Sequence, residues 1–537
     1  MPRRDIAAAS QLLQAQLLQN ININPVQPTL SETNLNIVTQ GGPSRPGFNE
    51  YNALFERNRA QFDFSGLLGS NWTRAGEVLL SGVYDKYSIS AGQFNYQSDG
   101  FRENFGVNHT ISDIFSQVAI TPELNIQGEY RRRRSEQGNL ILNFDNDNFS
   151  KTSHNDFDQD IGRFGLRYSP LPFVTFLTSI IAGSTHNKDI LQDSSDFRVS
   201  NRIAQAEPQA IIQDAHSSVV LGALFNNTDT NLRLRGGPDV LEATQNWTTI
   251  QHSVYTYINH NIFDNLTTTI GLTYDDFRRE GYDIDYFSPK IGVRYSPLEP
   301  LTLRAAAFRT LKPALATGQT VQPTEVSGFN QFFDDPDGTR STTYSVGADM
   351  RVANNVMIGF EADWRQLDTP FTSAYDGSVT FVNQNDNLYR GYIYWTPSEQ
   401  WALTSELQYD QFHSDNINVK ELDTFSTPVG ISYFAPWGLF ATAGVTYVHQ
   451  TYTTRNSNLS PLVNNDKDDG FFLVDVGMGY RFPKRLGIIS FEVTNLTNEH
   501  FSYTDDSFRE LFVNSVRPHI SPYIPERAFF CRLTLTY

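Results

Sequence analysis

The densest group of charges in the sequence is a run of four arginines: Arg131, Arg132, Arg133 and Arg134. A guanidinium group binds phosphate through two parallel hydrogen bonds, so the run could contact a phosphorylated surface. Four consecutive charges on an extended chain point to both of its faces, which places them outside any hydrocarbon layer. The alternative is a solvated cluster that pairs with nearby acids such as Asp145 and Asp147.

A second candidate site lies in the stretch 310–340, where aromatic and acidic residues stand together: Phe329, Phe332, Phe333, Asp334 and Asp335. On a long loop these side chains could hold a ligand, or the loop could fold into the mouth of the structure that carries it. Loops of this length are commonly functional. A solvated loop without a ligand is the plainer alternative.

No residues stand out as catalytic or as metal ligands. The ten histidines are scattered without the spacing of a metal-binding pair, and no nucleophile motif or phosphate-binding glycine loop is evident. Two acidic runs lack the ligand spacing of a calcium loop: Asp334, Asp335 and Asp337, and Asp466, Asp468 and Asp469. We therefore expect a protein that is not an enzyme and that has no metal site or other cofactor.

Composition narrows the class of protein. With 59 acidic and 41 basic residues the formal charge is −18, which excludes the basic surface that nucleic-acid binding needs. The mean hydropathy is −0.40, and no stretch approaches the roughly 18 apolar residues of a membrane helix. A transmembrane β-barrel has similar averages, because only alternate residues of its strands are apolar. The single cysteine, Cys531, excludes an intramolecular disulfide and is expected to act as a small apolar residue.

The C-terminal strand gives the first evidence for such a barrel. Its residues alternate between an apolar face, formed by Phe529, Cys531, Leu533, Leu535 and Tyr537, and a polar face, formed by Arg532, Thr534 and Thr536. A last strand of this kind, ending on an aromatic residue, is similar to the closing strand that acts as the assembly signal of bacterial outer-membrane barrels. An edge strand of a soluble sandwich is the alternative.

The rest of the chain repeats the pattern and favours the barrel. From about Ala60, period-two segments alternate with compact turns, such as Thr121-Pro122-Glu123, and with longer polar loops. The predicted long loops are 98–104, 135–159, 185–213, 310–340, 366–387, 453–467 and 497–524. We predict an all-β fold, a transmembrane antiparallel β-barrel of about 22 strands with short periplasmic turns and long extracellular loops. A secreted propeller or solenoid would need a sequence repeat, and none is found.

The N-terminal region differs from this pattern. Ile6, Leu13 and Leu17 lie on one stripe, which predicts one short amphipathic helix, either the end of a helical-repeat array or an isolated helix. An Asn-, Pro- and Thr-rich linker follows. We therefore divide the chain into a helix and linker, 1–58, and a barrel, 59–537. No export signal is recognisable at the start, which indicates a mature piece or a fragment of a longer precursor.

Three segments resemble TonB-dependent outer-membrane receptors: 288–297 (SPKIGVRYSP), 491–498 (FEVTNLTN) and 526–529 (ERAF). They occur in the order in which the family has its mid-barrel hairpin, its penultimate strand and its closing segment. More narrowly, 92–104 (GQFNYQSDGFREN) and 129–133 (EYRRR) resemble barrels attached to tetratricopeptide-repeat proteins. The resemblance covers the barrel region of the chain.

The resemblance implies the outer membrane of a Gram-negative-type bacterium. The expected partners are membrane lipid, lipopolysaccharide and the barrel-assembly machinery, with TonB or periplasmic helical repeats in addition. The arginine run at the outer rim would contact lipopolysaccharide phosphates. The residues of stretch 310–340 would contact a ligand from outside.

One departure from the family bears directly on function. The receptors carry a plug of well over a hundred residues and a motif that TonB grips, and neither is found before the first predicted strand. Either the plug belongs to a part of a longer precursor, or the barrel never had one, and a barrel this wide without a plug is expected to have an aqueous lumen. Movement of a solute across the outer membrane is the first function that we predict. The alternatives are an export channel for a polymer that works with periplasmic helical repeats, and a barrel that anchors loops for recognition at the cell surface.

Overall fold

The computed structural model describes residues 5–19, 58–140, 142, 144–147, 149–190, 196–236, 242–373, 377–415, 419–456, 463–504 and 521–537. One helix, α1 (Asp5–Leu18), precedes 24 strands. The strands are β1 Arg59–Gly69, β2 Arg74–Tyr84, β3 Tyr87–Ser98, β4 Val107–Ala119, β5 Leu124–Gln137, β6 His154–Leu171, β7 Val174–Ile190, β8 Asp196–Gln213, β9 Ser217–Arg235, β10 Ala243–Phe263, β11 Leu266–Arg279, β12 Tyr282–Leu298, β13 Leu301–Leu311, β14 Glu325–Val326, β15 Phe329–Asn330, β16 Arg340–Ala353, β17 Val356–Thr372, β18 Val379–Ser398, β19 Trp401–Ser414, β20 Val419–Phe434, β21 Leu439–Asn456, β22 Val463–Arg481, β23 Gly487–Thr494 and β24 Ala528–Thr536.

Twenty-two of these strands form one closed antiparallel barrel. Each strand pairs with the next along the chain, and β24 pairs with β1 to close the barrel, with Thr536 opposite Asp63. The remaining two, β14 and β15, form a separate small hairpin. Closure leaves no strand edge of the sheet unpaired around the circumference, as a membrane-spanning sheet requires. The predicted fold class and strand number are confirmed. Among the residues that the structure describes, no helix is long and apolar enough to cross a membrane.

The connections alternate between short periplasmic turns and outer loops, as predicted, and several outer loops, such as 138–153 and 373–378, are shorter than the sequence indicated. Stretch 185–213 was predicted to be a loop, and this is wrong. Strand β7 continues to Ile190, β8 runs from Asp196 to Gln213, and the turn follows at 214–216. Residues 184–189 at the end of β7 are polar on both faces, and the inner face of β8 is polar at Gln205, Glu207 and Gln209, so apolar alternation marks this stretch only weakly.

The short turn between β8 and β9 is held by Asp214. Its carboxylate accepts hydrogen bonds from the backbone N–H groups of His216 and Ser217, each at 2.7 Å. These two bonds hold the pKa of Asp214 below its ordinary value. An aspartate that bonds the backbone two and three residues further on is a common way to fix a tight turn.

The outward face of the barrel is apolar and carries two belts of aromatic side chains. In the outer belt the ring centres of Trp364 and Tyr389 are 6.0 Å apart and those of Tyr389 and Tyr409 are 6.2 Å apart. Near the periplasmic turns, the rings of Trp401 and Tyr433 lie 4.8 Å apart. Belts of this kind flank the hydrocarbon band of outer-membrane barrels.

The last strand shows the alternation that the sequence predicted. Phe529, Leu535 and Tyr537 face outward and are 53%, 38% and 86% exposed, whereas Phe530 points inward and is 8% exposed. The apolar face of β24 is therefore part of the lipid-facing surface.

Candidate functional site

The connection between β13 and β16 does not extend outward but enters the barrel lumen. This segment, residues 312–339, is called the inward loop. Its base is closed by two backbone hydrogen bonds, from Lys312 N to Thr339 O (2.8 Å) and from Gly338 N to Lys312 O (2.9 Å). At its far end β14 and β15 form a two-residue hairpin turn in which Ser327 and Gly328 have φ angles of 50° and 86°. Glycine at the second position suits such a turn, because both residues need a positive φ.

Glutamine side chains on the inner wall bind the backbone of the inward loop. Gln205 of β8 donates to Gln319 O at 2.9 Å and accepts from Ala316 N at 2.7 Å. Four residues further on, Gln209 donates to Val321 O at 2.7 Å. A buried loop must find partners for its backbone groups outside any sheet, and these amides supply both donors and acceptors.

Between those glutamines, Glu207 is fully buried and accepts hydrogen bonds from Thr320 Oγ1 (2.6 Å) and Val321 N (2.9 Å). On β10 the hydroxyl of Tyr257 accepts a bond from Gln322 Nε2 at 2.7 Å. The middle of the inward loop is thus bound by side chains of two different parts of the wall, which fixes its course through the lumen.

Arg365 of β17 holds the returning half of the inward loop. Its side chain is 2% exposed, and its guanidinium carbon lies 3.6 Å from the centre of the Phe333 ring. The same group pairs with Asp335 of the loop and, at 2.7 Å, with Asp386 of β18. The buried cation is thus compensated by two carboxylates and the face of an aromatic ring.

A second arginine, Arg304 of β13, contacts the hairpin end of the loop. Its guanidinium lies 4.8 Å from the centre of the Phe329 ring and donates to Gly328 O at 3.1 Å. Asp349 and Glu361 of the wall bind the same group at 3.0 Å and 3.4 Å. Each of the two arginines therefore connects an aromatic residue of the inward loop to carboxylates.

Helix α1 also lies inside the barrel, against the inward loop. Leu13 and Leu17, which are 0% and 2% exposed, pack with Leu177 of β7 and Val321 of the loop, and Ile211 of β8 adds to the contact. The predicted apolar stripe is therefore buried by the lumen wall. The expectation of a purely aqueous lumen is not met, because α1 and the inward loop occupy part of it. A link to periplasmic helical repeats stays a prediction.

Polar contacts fix both ends of α1. Near its start, Ile6 N donates to Asp334 Oδ1 of the inward loop at 3.2 Å, and a carboxylate is favourable beside the N-terminal end of a helix. Further along, Gln14 Nε2 donates to Gln322 O at 2.9 Å. After the helix ends, Gln19 O accepts from Gln117 Nε2, at 3.3 Å, close to a periplasmic turn.

A buried group of charges adjoins the last turns of α1. Glu129 of β5 accepts from Arg163 of β6 at 3.2 Å and pairs with Arg131 at 3.4 Å. Arg131 also binds Asp113 of β4 at 3.2 Å, and Arg163 donates to Gln16 of α1, again at 3.2 Å. The helix is thus bound to the wall by both apolar and charged residues.

These contacts divide the predicted arginine run into two pairs. Arg131 and Arg133 point into the lumen, where Arg133 lies 4.6 Å from the centre of the Phe157 ring. Arg132 and Arg134 point outward. Strand periodicity separates the four, so the prediction that all of them contact the outside is wrong for the inward pair.

The outward pair lies beside acids of the neighbouring strand. Arg132 is 50% exposed and pairs with Asp160 at 3.8 Å, and Arg134 is 55% exposed and pairs with Asp158 at 2.8 Å. These partners come from β6 and not from the loop acids that we predicted, Asp145 and Asp147.

The aromatic and acidic residues predicted on an outer loop belong to the inward loop. Phe329, Phe332 and Phe333 are only 1–4% exposed, and the carboxylates of Asp334 and Asp335 are engaged by α1 and Arg365. The alternative that the loop folds into the barrel mouth is therefore the one observed. A ligand could reach these side chains only after the inward loop moves.

The residues that bind the inward loop were missed in the sequence. Gln205, Glu207 and Gln209 fall within a stretch that was predicted to be a loop. Their spacing of two was the signal that could have placed them on one face of a strand. Over the described parts of the chain, no group of three or more His, Cys, Asp or Glu side chains is arranged to hold a metal ion.

A closed 22-stranded barrel with aromatic belts and an occupied lumen defines an outer-membrane transporter or receptor. The family model "TonB dependent receptor-like, beta-barrel" matches residues 34–496, and the chain belongs to this family. Members of the family lie in the outer membrane of Gram-negative bacteria. A comparison with curated protein sequences gave no match.

Solved structures of similar fold share little sequence with this chain. The FrpB iron transporter from Neisseria meningitidis is 12% identical, with a TM-score of 0.67 over 90% of this chain and 82% of that one. The copper transporter OprC is 10% identical, with a TM-score of 0.66 over 90% and 81%. The ferric citrate transporter FecA is 13% identical, with a TM-score of 0.65 over 90% and 79%. At these identities the likeness establishes the fold.

Proposed function

We propose that this chain moves a solute across the outer membrane through its lumen, and that the inward loop and α1 together control the passage. The proposal rests on one observation above all. The inward loop enters the lumen and is bound there by polar and charged side chains of β8, β10, β13 and β17, in addition to apolar contacts such as those of Val326 and Phe329 with Phe308. Hydrogen bonds and ion pairs of this kind can be exchanged for water or for a solute as the loop moves.

Periplasmic control of the passage would act through α1. The residue that follows the helix, Gln19, lies at the periplasmic end of the barrel, beside Gln117 of β4. A pull from TonB or from a periplasmic helical-repeat partner at this end would withdraw α1 and free Val321 and Asp334 of the inward loop. The identity of the solute stays open, because loop composition does not encode it.

Releasing α1 should increase the passage of small solutes. Leu13→Asp places a charge at a fully buried position and is expected to detach the helix from the wall, because a carboxylate cannot remain there unpaired. Ala15→Asp is the matched control, since Ala15 is exposed on the same helix. Proteoliposome swelling with sugars measures the passage, and hydrogen exchange of residues 5–18 reports whether the helix is released.

We expect Leu13→Asp to show rapid exchange together with faster swelling, and Ala15→Asp to behave as the wild type does. Rapid exchange without faster swelling would show that α1 has no part in controlling the passage. The proposal for the helix would then have to be abandoned.

Recognition at the cell surface is a second candidate function, favoured by the packing of the outer loops. Phe501 stacks on Phe471 of the inner wall with ring centres 3.7 Å apart. In loop 99–106, Arg102 lies 4.6 Å from the centre of the Phe149 ring, and burial lowers the pKa of Arg102 to about 10. Loops that pack over the mouth could present a surface to a partner.

Polymer export rests on the tetratricopeptide-linked resemblance alone and stays a prediction.

We also propose that Arg132 and Arg134 contact lipopolysaccharide phosphates. Both are exposed above the hydrocarbon band, and exposed ion pairs such as those with Asp158 and Asp160 contribute at most about 1 kcal/mol, so a phosphate can replace them. Arg132→Gln with Arg134→Gln should reduce the lipopolysaccharide that co-purifies with the barrel. Arg131→Gln with Arg133→Gln should leave that amount unchanged and lower the thermal stability. Equal loss of lipopolysaccharide from both double variants would contradict the assignment.

The assembly signal that the sequence predicts in the last strand stays a proposal. Phe529, Leu533, Leu535 and Tyr537 form one face of β24, which is the strand that closes the barrel against β1. Recognition of this face by the barrel-assembly machinery stays a prediction.

A further inference from the structure

The lipid-facing wall contains a groove that crosses strands β7 to β11. It has a volume of about 550 Å³. Four large apolar or aromatic side chains border it, namely Phe176, Leu221, Val254 and Tyr274, which are 42%, 45%, 61% and 46% exposed. Small or ring-closed residues form its floor: Pro208, Ala210, Gly222 and Ala223.

The groove follows from the residue types on β8 and β9. Pro208 has no backbone N–H, and the β8–β9 pairing is interrupted there, with Ala206 opposite Phe225 and Gln209 opposite Gly222 but no pairs between them. Beside the interruption, the outward side chain of β9 is only the methyl group of Ala223. The wall is therefore both thinner and less strongly hydrogen-bonded at this place than elsewhere along β8 and β9.

On the lumen side of the groove lies Tyr255, which is connected to the inward loop through Gln209. A Cβ atom at Gly222 would lie 2.4 Å from the Tyr255 ring, so only glycine allows this ring to pack against β9. The Tyr255 hydroxyl accepts a bond from Gln209 Nε2 at 3.2 Å, and Gln209 also binds Val321 O of the loop at 2.7 Å. The floor of the groove and the anchor of the inward loop thus share residues of one short piece of wall.

The position of the groove indicates what fills it. Its border residues face outward between the two aromatic belts, so the surrounding medium is hydrocarbon. Ala210 lies three residues before the end of β8, and Leu221 lies four residues after the start of β9, next to the periplasmic turn 214–216. At its β7–β9 end the groove therefore opens in the periplasmic leaflet, which consists of phospholipid. At its β11 end it reaches Tyr274, whose hydroxyl donates to Asp285 near the outer turn 280–281. We propose that it binds one acyl chain of a phospholipid from this leaflet.

The test uses the full-length barrel, purified in mild detergent and reconstituted with phosphatidylethanolamine, with native mass spectrometry as the readout. Ala223→Trp fills the groove from β9 and should reduce the fraction of barrels that retain one phospholipid by several-fold. Ala443→Trp, at an exposed outward position on β21, is the matched control and should retain phospholipid as the wild type does. If Ala223→Trp does not fold, as judged by heat-modifiable electrophoretic mobility, Ala210→Trp fills the groove from the opposite side and decides the question.

A parallel reconstitution with lipid A identifies the source of the acyl chain. We predict that the wild-type barrel retains phosphatidylethanolamine. Neither lipid A nor detergent should displace this phospholipid. Equal phospholipid retention by the groove variants and the wild type would overturn the proposal, as would a wild-type barrel that retains lipid A in preference. Because retention is measured without any solute, its failure would leave the proposed transport function untouched.

Discussion

Replacing residues 313–338 with a four-residue glycine–serine link is expected to turn the barrel into a wide, continuously open channel. The link can be short because Lys312 and Thr339 are already hydrogen-bonded to each other. The deletion removes the inward loop and with it Val321, against which Leu13 and Leu17 of α1 pack. A 22-stranded barrel with an empty lumen is wide enough for an aqueous channel.

The measurement for this deletion is proteoliposome swelling with sugars of increasing size. We expect rapid swelling, several-fold faster than for the wild type, and a higher size limit. A control of matched length replaces the same residues with an equally long glycine–serine chain, which lacks the side chains that the wall binds. It should also swell rapidly, because the docking contacts and not the length of the segment hold the passage closed. Unchanged swelling of the deletion variant would show that the inward loop does not restrict the lumen.

Arg365→Met is expected to cause the largest loss of stability among single substitutions at the inward loop. The change keeps an apolar chain under Phe333 but leaves Asp335 and the fully buried side chain of Asp386 without their cation. Breaking a buried ion pair by removing one partner costs about 3–5 kcal/mol, because the other charge stays in a low-dielectric site. The temperature at which the barrel loses its heat-modifiable electrophoretic mobility measures the effect.

Two further variants serve as controls for the stability of the Arg365→Met barrel. Arg132→Met removes an exposed arginine whose partner, Asp160, lies 3.8 Å away, and it should cost at most about 1 kcal/mol. Adding Asp335→Asn to Arg365→Met should recover part of the stability, because one uncompensated carboxylate is then neutral. If the Arg365→Met barrel is as stable as the Arg132→Met barrel, then Arg365 does not compensate the charges of Asp335 and Asp386.

The barrel could be predicted from the sequence because the physics of lipid imposes a simple rule. Every membrane-spanning strand must be apolar on alternate residues, and strands such as β21, from Leu439 to Asn456, show this over the hydrocarbon band. The same rule explains the errors. Residues 184–189 of β7 are polar on both faces, and the lumen face of β8 carries Gln205, Glu207 and Gln209, so the sequence of 185–213 has the composition of a loop.

The arrangement within the lumen could not be predicted, because it depends on contacts between distant segments. Ile6 meets Asp334 and Gln16 meets Arg163 only after the barrel has closed, and no local pattern joins them. The length and composition of 310–340 indicated a functional loop but not its direction. Its direction is set by wall residues such as Gln205 and Gln209, which are ordinary polar residues of a strand when read alone.

In the resting barrel, the inward loop and α1 together are expected to close the lumen. The most direct measurement is the single-channel conductance of the unmodified chain, refolded into a planar lipid bilayer. We predict a small conductance with brief openings, far below the steady conductance of the same chain with residues 313–338 replaced. A large, stable conductance from the unmodified, correctly folded barrel would contradict the claim and would indicate a permanently open pore.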